Sequence, residues 1–357
     1  MTFAFYITNH GFGHASRNVP IIEELLTRNP KNKVIIKSDN IRNSFLQRNL
    51  SKYNDRITYY DDMLENGLIL KKGHMIPDIP KMKAIIQNDF RKWNYIIARE
   101  TDFLIKNHVD KVVSDTVALG IKAAKQAGVY SILIGNFDWA QIYQEYYDQD
   151  IWKPYEVCYK LADIAIWYEL HSEELHKHNS NFIEASLISR KVNWNEVENI
   201  KSKHSRPIIF VSLGGSAELS KPIDVSQLPY DFITTRGINL IGINSYQLPL
   251  DIINTPDYIA ASEFVIAKGG WSTIAEILLL QKKCALLMRG NNAEDNHNKM
   301  ILEQRHQCIA INGDEMDDIG ELINKIDLLN PDSYGIYTND VDKICDIIIS
   351  NSFSSHI

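Results

Sequence analysis

Residues 9–17 (NHGFGHASR) place glycines, an imidazole and a guanidinium directly after a predicted first β-strand. Gly11 and Gly13 permit a tight turn, and the helix predicted to follow begins with N–H groups that can bind an anion. His14 lies in the same turn, where it can point into a cleft. An ordinary glycine turn with a capping histidine has the same pattern. A dinucleotide-binding turn is a third interpretation, because G-x-G-x-x-S nearly matches that fingerprint and Asp39 could accept from a ribose.

A second glycine loop, residues 212–216 (SLGGS), follows the first predicted strand of the second half of the chain. Gly214 and Gly215, with Ser216, can cradle a phosphate through backbone N–H groups. A plain strand-to-helix turn has similar residues, so this loop alone leaves both interpretations open.

The third loop, residues 267–276 (AKGGWSTIAE), is the most informative. Gly269 and Gly270 end a predicted strand, and hydroxyls follow in the first turn of a helix, where N–H groups can receive an anion. Glu276 lies about one turn further along and can accept from ribose hydroxyls. A second polar turn follows the next strand. Helix capping explains any one of these residues but not two successive polar strand ends. The polar residues of the two turns are Ser272, Thr273, Asn292, Asp295, Asn296 and Asn298.

Two further segments could contact an acceptor. The first segment contains Asn136, Asp138 and Trp139, which follow a predicted strand. Trp139 offers a flat face on which a sugar ring can stack, and Asp138 can accept hydrogen bonds from the sugar hydroxyls. Both residues would equally suit a core anchor for the next helix. Residues 68–93 form a basic segment that includes Lys71 and Lys72. It predicts either a solvated helix face or a site for an anionic acceptor or a membrane surface.

We expect no metal site. Asp148 and Asp150 form a D-x-D sequence, but within an aromatic helical stretch and not after a strand. His171, His176 and His178 are five and two residues apart and do not share a helix face, so a solvated polar turn is the favoured interpretation.

Alternating strand and helix patterns predict how these loops are positioned. Short, nearly continuous apolar runs are typical of parallel strands covered on both faces, and the amphipathic segments between them predict helices. Ligands of such sheets bind beyond the carboxyl ends of the strands. Residues 193–206 are polar and predict a linker between two doubly wound α/β halves that face a cleft. Residues 341–349 predict a final amphipathic helix. The strands are predicted at 3–8, 33–38, 57–61, 111–114, 131–136, 164–168, 207–213, 232–235, 240–243, 264–267, 285–288 and 308–311.

Composition excludes several classes of protein. The 357 residues carry a net charge of −7, so there is no global basic field for nucleic acid, and the chain is long enough for two domains. The four cysteines form no Cys-x-x-Cys pair, which predicts reduced thiols in a cytoplasmic protein. The first residues predict a strand and not a signal peptide, and no apolar run is long enough to span a membrane.

The third loop resembles the nucleotide-sugar signature of GT-B glycosyltransferases, and GFGHASR resembles the glycine-histidine loop of MurG-type N-acetylglucosaminyltransferases. A closer resemblance is to the glycosyltransferase-like N-terminal part of L-arabinokinases and their free-standing bacterial relatives. It rests on YITNHGFGHASR, Asp115, GNFDWAQIY and AKGGWSTIAE. No sugar-kinase segment follows these motifs, so we do not expect kinase activity.

This resemblance implies an acceptor-side domain over 1–190, a nucleotide-sugar domain over 200–335, and a helix over 338–357 that packs on the first domain. His14 would be the base and Asp115 would orient it. Asp295 stands where glutamine is usual. The expected donor site comprises Gly13, Gly214, Gly215, Ser216, Gly269, Gly270, Ser272, Thr273, Glu276, Asp295 and Asn298.

The expected activity is inverting, metal-independent transfer from a nucleotide-diphosphate sugar, most simply UDP-linked, with no further cofactor. The alternatives are a nucleotide-sugar hydrolase and a non-catalytic sensor. The expected acceptor is a sugar or an anionic glycan or lipid-linked molecule, met in the cytoplasm or at the inner membrane face through residues 68–93.

Overall fold

The computed structural model describes residues 1–71, 76–213, 219–249, 252, 254–288, 292–331 and 334–350. The chain divides into two compact units. The first comprises Met1–Ile69, Asp78–Leu187 and the residues from Asn339 onward, and the second comprises Leu70–Pro77 and Ile188–Thr338.

The described strands follow in chain order. They are β1 (Thr2–Ile7), β2 (Lys33–Ser38), β3 (Ile57–Asp61), β4 (Lys111–Asp115), β5 (Tyr130–Gly135), β6 (Ile164–Tyr168), β7 (Phe182–Ala185), β8 (Ile208–Ser212), β9 (Leu219–Asp224), β10 (Asp231–Thr234), β11 (Ile238–Ile241), β12 (Ser245–Gln247), β13 (Phe264–Lys268), β14 (Lys283–Leu287) and β15 (Ile309–Ile311).

The α-helices lie between or after these strands. They are α1 (Gly13–Arg28), α2 (Asn40–Asn49), α3 (Ile79–Phe90), α4 (Trp93–Lys106), α5 (Ala118–Ala127), α6 (Trp139–Gln144), α7 (Gln149–Tyr159), α8 (Trp194–Ser202), α9 (Thr255–Ala261), α10 (Trp271–Leu279), α11 (Ala293–Gln304), α12 (Ile319–Asp327) and α13 (Val341–Ser350). Short 3₁₀ turns cover Ser51–Tyr53, Glu173–Lys177 and Gly313–Asp318.

The first unit is built on a seven-stranded parallel sheet in the order β3-β2-β1-β4-β5-β6-β7. Strand β1 pairs with β2 on one side and with β4 on the other, in a register that sets Ile7 beside Asp115. This register brings the loop after β1 next to the last residue of β4. The carboxyl ends of these two strands therefore present one common site.

The second unit has a six-stranded parallel sheet in the order β12-β10-β8-β13-β14-β15, with β9 and β11 in a separate two-stranded sheet. Strands β13 and β14 are neighbours, in register from Phe264–Lys283 to Lys268–Leu287. The glycine loop after β13 and the polar turn after β14 therefore leave the sheet side by side. The core of this unit packs α12 against the sheet, with Ile323 and Ile326 buried.

Helix α13 belongs to the first unit and packs along α1. Arg28 of α1 pairs with the carboxylates of Asp342 and Asp346, and the buried Cys345 thiol donates to the carbonyl of Ile21. Among the described residues, no helix combines the length and the apolar character that crossing a membrane requires.

Several sequence-based boundaries need correction. The polar segment 193–206, expected to be a linker, holds helix α8: the Asn193 side chain accepts from the N–H groups of Asn195 and Glu196, and Val197 and Ile200 are buried. The strand expected over 240–243 lies outside the main sheet, because β11 pairs with β9. Strands β7, β9 and β12 were not expected. The parallel α/β class itself is confirmed.

Candidate functional site

His14 and Asp115 meet at the carboxyl ends of β1 and β4. His14 Nδ1 lies 2.8 Å from Asp115 Oδ1, although 101 residues separate them in the chain. The loop after β1 reaches α1 through Gly11, whose φ of +72° favours glycine. Because α1 begins at Gly13, His14 lies in its first turn and faces the end of β4.

Arg17 and Asn18 complete the surroundings of the Asp115 carboxylate. Arg17 Nε donates to Asp115 Oδ2 at 2.8 Å, and Arg17 Nη2 donates to Asp115 Oδ1. Asn18 Nδ2 also donates to Asp115 Oδ2, at 2.6 Å. A fourth contact runs from Arg17 Nη1 to Asn136 Oδ1, at 2.6 Å. We call His14, Arg17, Asn18, Asp115 and Asn136 the Asp115 cluster.

The Asp115 cluster holds its carboxylate in the ionised form. Burial opposes ionisation of Asp115, but the charges and hydrogen bonds of Arg17 and His14 outweigh it and keep the pKa of the carboxyl well below its usual range. His14 Nδ1 faces two groups: Asp115 Oδ1 at 2.8 Å, which accepts, and Arg17 Nη2 at 2.9 Å, which can only donate. We assign the proton to Nδ1, toward the shorter contact with the ionised Asp115. His14 Nε2 then carries the lone pair that can accept a proton.

Asp138 and Trp139 are buried and contact protein groups, which favours the core-anchor interpretation over a contact with a sugar. The Asp138 carboxylate caps α6 by accepting from Gln141 N–H at 2.8 Å, and its other oxygen meets His178 Nδ1 at 2.6 Å. Burial opposes the charged imidazolium, but Asp138 raises the pKa of His178. Trp139 is fully buried and stacks on Tyr143. Both residues are core anchors, while Asn136 belongs to the Asp115 cluster.

The first unit also has a small polar depression, open to solvent, at the carboxyl ends of β1, β2 and β3. Lys37 and Asp62 line it and are paired at 3.1 Å. The buried hydroxyls of Thr8 and Ser38 face no hydrogen-bonding partner among the described residues. Lys71 is exposed, and Lys72 lies outside the described residues.

In the second unit, the loop after β13 leads straight into α10. Gly270 is the N-cap residue of this helix, and the N–H of Gly269 donates to the carbonyl of Leu287 on β14. A Cβ on Gly269 would lie 3.1 Å from Met288 Sδ and 3.7 Å from Asp295 Cγ. Thus Asp295, from the start of α11, lies against the glycine loop, and the two polar turns form one site.

Ser272, Thr273 and Glu276 lie on α10, as expected. Ser272 is buried, and Thr273 is half-buried in the first turn, where the helix dipole favours an anion. Glu276 is also buried, with its Oε1 accepting from Arg190 Nη2 at 2.9 Å. The same nitrogen donates to Thr255 Oγ1 at 2.8 Å. Burial raises the pKa of Glu276, although Arg190 and Thr255 oppose the shift.

Asn292, the N-cap of α11, and Asn298, in the middle of that helix, are both fully buried. Asn292 caps the helix by accepting from Asp295 N–H at 3.0 Å. Asn298 is fully buried, yet neither amide atom of its side chain has a hydrogen-bonding partner within the part of the chain that the structure describes. Such a group is costly unless something else satisfies it, which marks Asn298 as a candidate ligand contact. Gly214, Gly215 and Ser216 lie outside the described residues.

The expectation of a solvated histidine turn is wrong. His178 is buried on Asp138, and His171 and His176 converge on Glu184. A 3₁₀ turn over Glu173–Lys177 brings together side chains that an α-helical spacing would keep apart.

Sequence reasoning missed Arg17 and Arg190. Arg17 follows His14 by three residues on α1, a spacing that sets both on one helix face, so its role was detectable. Asp39, the ribose acceptor of the dinucleotide interpretation, instead caps α2 and pairs with Arg42 at 3.0 Å. Arg190 lies between β7 and α8, where no periodicity indicates its partner.

Comparison with known proteins adds a family match. Residues 245–343 match the model of the Glycosyltransferase family 28 C-terminal domain. Over 330 residues the chain is 23% identical to the L-arabinokinase of Arabidopsis thaliana, an alignment that covers 86% of this chain. The chain spans 30% of the length of that relative.

Solved structures match nearly the whole chain. MurG of Acinetobacter baumannii has a TM-score of 0.57 at 13% identity, covering 97% of this chain and 98% of that one. UGT89C1 of Arabidopsis thaliana, complexed with UDP-L-rhamnose, has a TM-score of 0.61 at 11% identity, with 97% and 93% covered. The spinosyn forosaminyltransferase SpnP has a TM-score of 0.60 at 13% identity, with 99% and 95% covered.

These matches confirm the resemblance and the fold predicted from the sequence. The family 28 match covers residues 245–343, and the glycosyltransferase neighbours share the fold of nearly the whole chain. The chain has the GT-B fold of two parallel-sheet α/β domains.

Proposed function

We propose that this protein transfers a sugar from a nucleotide-diphosphate sugar to an acceptor hydroxyl, with inversion at the anomeric carbon. The observation that carries the proposal is the contact between His14 Nδ1 and the ionised Asp115, at 2.8 Å. A histidine held this way offers Nε2 as a base of fixed orientation. UDP is the favoured nucleotide, since UGT89C1 was crystallised with UDP-L-rhamnose and with UDP.

In the proposed reaction, His14 Nε2 takes the proton of the acceptor hydroxyl as its oxygen bonds to the anomeric carbon. The bond from that carbon to the phosphate oxygen breaks, and its electron pair leaves with the nucleoside diphosphate. Asp115 stabilises the imidazolium that forms. No step requires a metal or a further cofactor.

The donor site would lie in the second unit. The start of α10, with Gly269, Gly270, Ser272 and Thr273, would receive the diphosphate, because a helix N-terminus stabilises the charge that develops there. Glu276 would accept from the ribose. The side-chain amide of Asn298 would form a hydrogen bond with the bound sugar or nucleotide, and this bond would satisfy the buried amide. Gly13, Gly214, Gly215, Ser216 and Asp295 remain proposed donor contacts.

The acceptor would approach from the first unit. Asp138 and Trp139 are fully buried and Asn136 is 3% exposed, so we assign the acceptor's contacts to the polar depression beside Lys37 and Asp62. Lys71 and Lys72 would attract an anionic acceptor, or the surface of a membrane on the cytoplasmic side.

The test begins with calorimetric titration of UDP, UDP-sugars, GDP-sugars, TDP-sugars and NAD(H). Binding of a UDP-sugar in preference to NAD(H) is expected, and binding of NAD(H) alone would overturn the donor assignment. Turnover is then measured with a panel of sugar and lipid-linked acceptors. Release of free sugar without any acceptor would identify a hydrolase, and binding without turnover would identify a sensor.

His14→Ala tests the proposed base. We expect it to lower kcat at least about 10²-fold while UDP affinity stays within about twofold, since general base catalysis contributes on that scale. The matched control is His10→Ala, in the same loop, which should retain turnover. Equal turnover in His14→Ala and the native protein would refute the role of His14.

A further inference from the structure

The 3₁₀ turn after β6 folds back onto the edge of the first sheet. Leu170, at φ +69°, lies two residues after the end of β6, between that strand and the turn, and β7 returns parallel to β6. Trp167 of β6 is in register with Glu184 of β7. The turn and the edge strand therefore bring two histidines and one carboxylate to the same point, away from the Asp115 cluster in the sequence and in the sheet order.

Three lone-pair atoms converge at this point. His171 Nε2 lies 3.0 Å from His176 Nε2, and Glu184 Oε1 lies 3.5 Å from the first nitrogen and 3.4 Å from the second. A tetrahedral Zn²⁺ with bonds of about 2.0–2.1 Å sets its ligand atoms about 3.3 Å apart. The triangle thus has the dimensions of one face of a zinc tetrahedron.

Both rings are held in orientations that suit a ligand. His171 Nδ1 lies 2.9 Å from the carbonyl of Tyr168, which we assign as a donated hydrogen bond that leaves the lone pair on Nε2. Metal-binding histidines almost always make such a bond with the second ring nitrogen. The His176 ring stacks on Phe182 at 3.9 Å between centroids and 11° between planes, which fixes its plane.

We propose that His171, His176 and Glu184 bind a divalent transition-metal cation, Zn²⁺ by preference, with water at the fourth position. Two imidazoles and a carboxylate are a nitrogen and oxygen set that suits zinc. The Glu184 side chain is 61% exposed, so water and the cation have access. Binding would join the 3₁₀ turn to the edge strand β7 and stabilise the first unit. It is independent of the sugar-transfer proposal.

Thiols do not offer a competing site among the described residues. The four cysteines are buried, and burial raises the pKa of Cys158 and of Cys308 to about 12. The alternative explanation of the His171–His176 contact is a plain hydrogen bond between one protonated Nε2 and one lone pair. A titration with metal separates the two.

The experiment uses the untagged full chain, freed of metal with a chelator and titrated with ZnCl₂ in a calorimeter. One equivalent should bind with Kd of about 1 µM or tighter. His176→Gln and Glu184→Gln should each raise Kd at least about 30-fold, since even the loss of a supporting contact costs 10–100-fold. Glu174→Gln, in the same turn but outside the cluster, should bind like the native protein.

Co²⁺ provides a measurement that needs no variant. Its visible absorption should be that of a tetrahedral site with nitrogen and oxygen ligands, without a thiolate charge-transfer band. Native protein that binds Zn²⁺ more weakly than about 1 µM, or His176→Gln that binds it as tightly as the native protein, would overturn the proposal.

Discussion

Arg17 holds the Asp115 cluster together through its planar guanidinium. Its fork reaches both oxygens of Asp115 and the amide of Asn136, a geometry that a lysine ammonium cannot reproduce. Its charge keeps Asp115 ionised, and its Nη2 also lies 2.9 Å from His14 Nδ1. The orientation of the proposed base therefore depends on a residue with no direct role in proton transfer.

Glu276 and Arg190 form a buried pair whose two members depend on each other. We expect Glu276→Gln to lower the free energy of unfolding by roughly 2–4 kcal/mol, because it removes the carboxylate charge that pairs with the buried Arg190 guanidinium. Adding Arg190→Met should recover part of that loss. Urea denaturation of both single variants and the double variant measures this coupling, and purely additive losses would contradict it.

Glu65 should make stability depend on pH. It lies between β3 and α3, and its Oε1 accepts from the N–H of Leu119 in α5 at 2.6 Å. Its Oε2 faces no partner among the described residues. Burial raises the pKa of Glu65 to about 8, against the opposing hydrogen bonds from Leu119 and Ala118. The folded protein therefore keeps this proton over a pH range in which the unfolded chain has lost it.

The direction in which stability changes with pH follows from this difference in the number of bound protons. As pH rises from about 5 to 8, the folded protein should lose stability relative to Glu65→Gln, by roughly 3–4 kcal/mol at most. Glutamine keeps the acceptor for Leu119 and cannot ionise. Urea denaturation of both proteins at pH 5, 6.5 and 8 tests this. Identical pH dependence of the two proteins would show that Glu65 is not protonated in the fold.

At the scale of elements, α5 packs against β1 through a glycine. A Cβ on Gly120 would lie 2.7 Å from Cγ of Tyr6, and Tyr6 is buried with its hydroxyl donating to Glu100 at 2.9 Å. Gly120→Ala should therefore destabilise the protein by about 1–3 kcal/mol, although alanine is the better helix former.

Gly320 of α12 is the matched control. A Cβ there would lie 3.6 Å from its nearest neighbours, which is ordinary contact. Gly320→Ala should raise the free energy of unfolding by up to about 1 kcal/mol. Chemical denaturation compares the two variants, and stabilisation by Gly120→Ala would mean that α5 can move away from Tyr6.

The sequence predicted the elements whose pattern is strong. Strands such as β1 and β5 are continuous apolar runs buried along most of their length, and Gly128, at φ +67°, ends α5 where expected. Edge strand β7 was missed because its four residues (FIEA) are mostly half-exposed and carry no clear period. The sequence predicted a linker in place of helix α8 because the buried residues of this helix are only Val197 and Ile200, surrounded by charged residues.

Part of the candidate site could be predicted because the order of the strands alone brings some of its residues together. His14 and Asp115 follow strands that lie next to each other in the sheet, so the rule that ligands bind at carboxyl ends brings them together without knowledge of side chains. The partners of Glu276 and the convergence of His171 with His176 depend on irregular backbone between elements. Neither periodicity nor spacing describes that part of a chain.

At the scale of the whole molecule, each unit has its own sheet and its own core, so each should have its own unfolding transition. Ile348 of α13 is fully buried in the first unit, where the carbonyl of the same residue accepts from Lys111 Nζ at 2.7 Å. Ile326 of α12 is fully buried in the core of the second unit. The two side chains are identical, and each reports on one unit.

We therefore expect two transitions in scanning calorimetry, with each variant lowering only its own. Ile348→Ala should destabilise the first unit by about 2–5 kcal/mol, the usual cost of such a cavity, and Ile326→Ala should do the same to the second. If UDP binds the second unit as proposed, it should raise the transition that Ile326→Ala lowers, because a ligand stabilises the state that binds it. A single transition that both variants lower equally would mean that the units unfold together, and the division of the chain at Ile188 would then have no energetic counterpart.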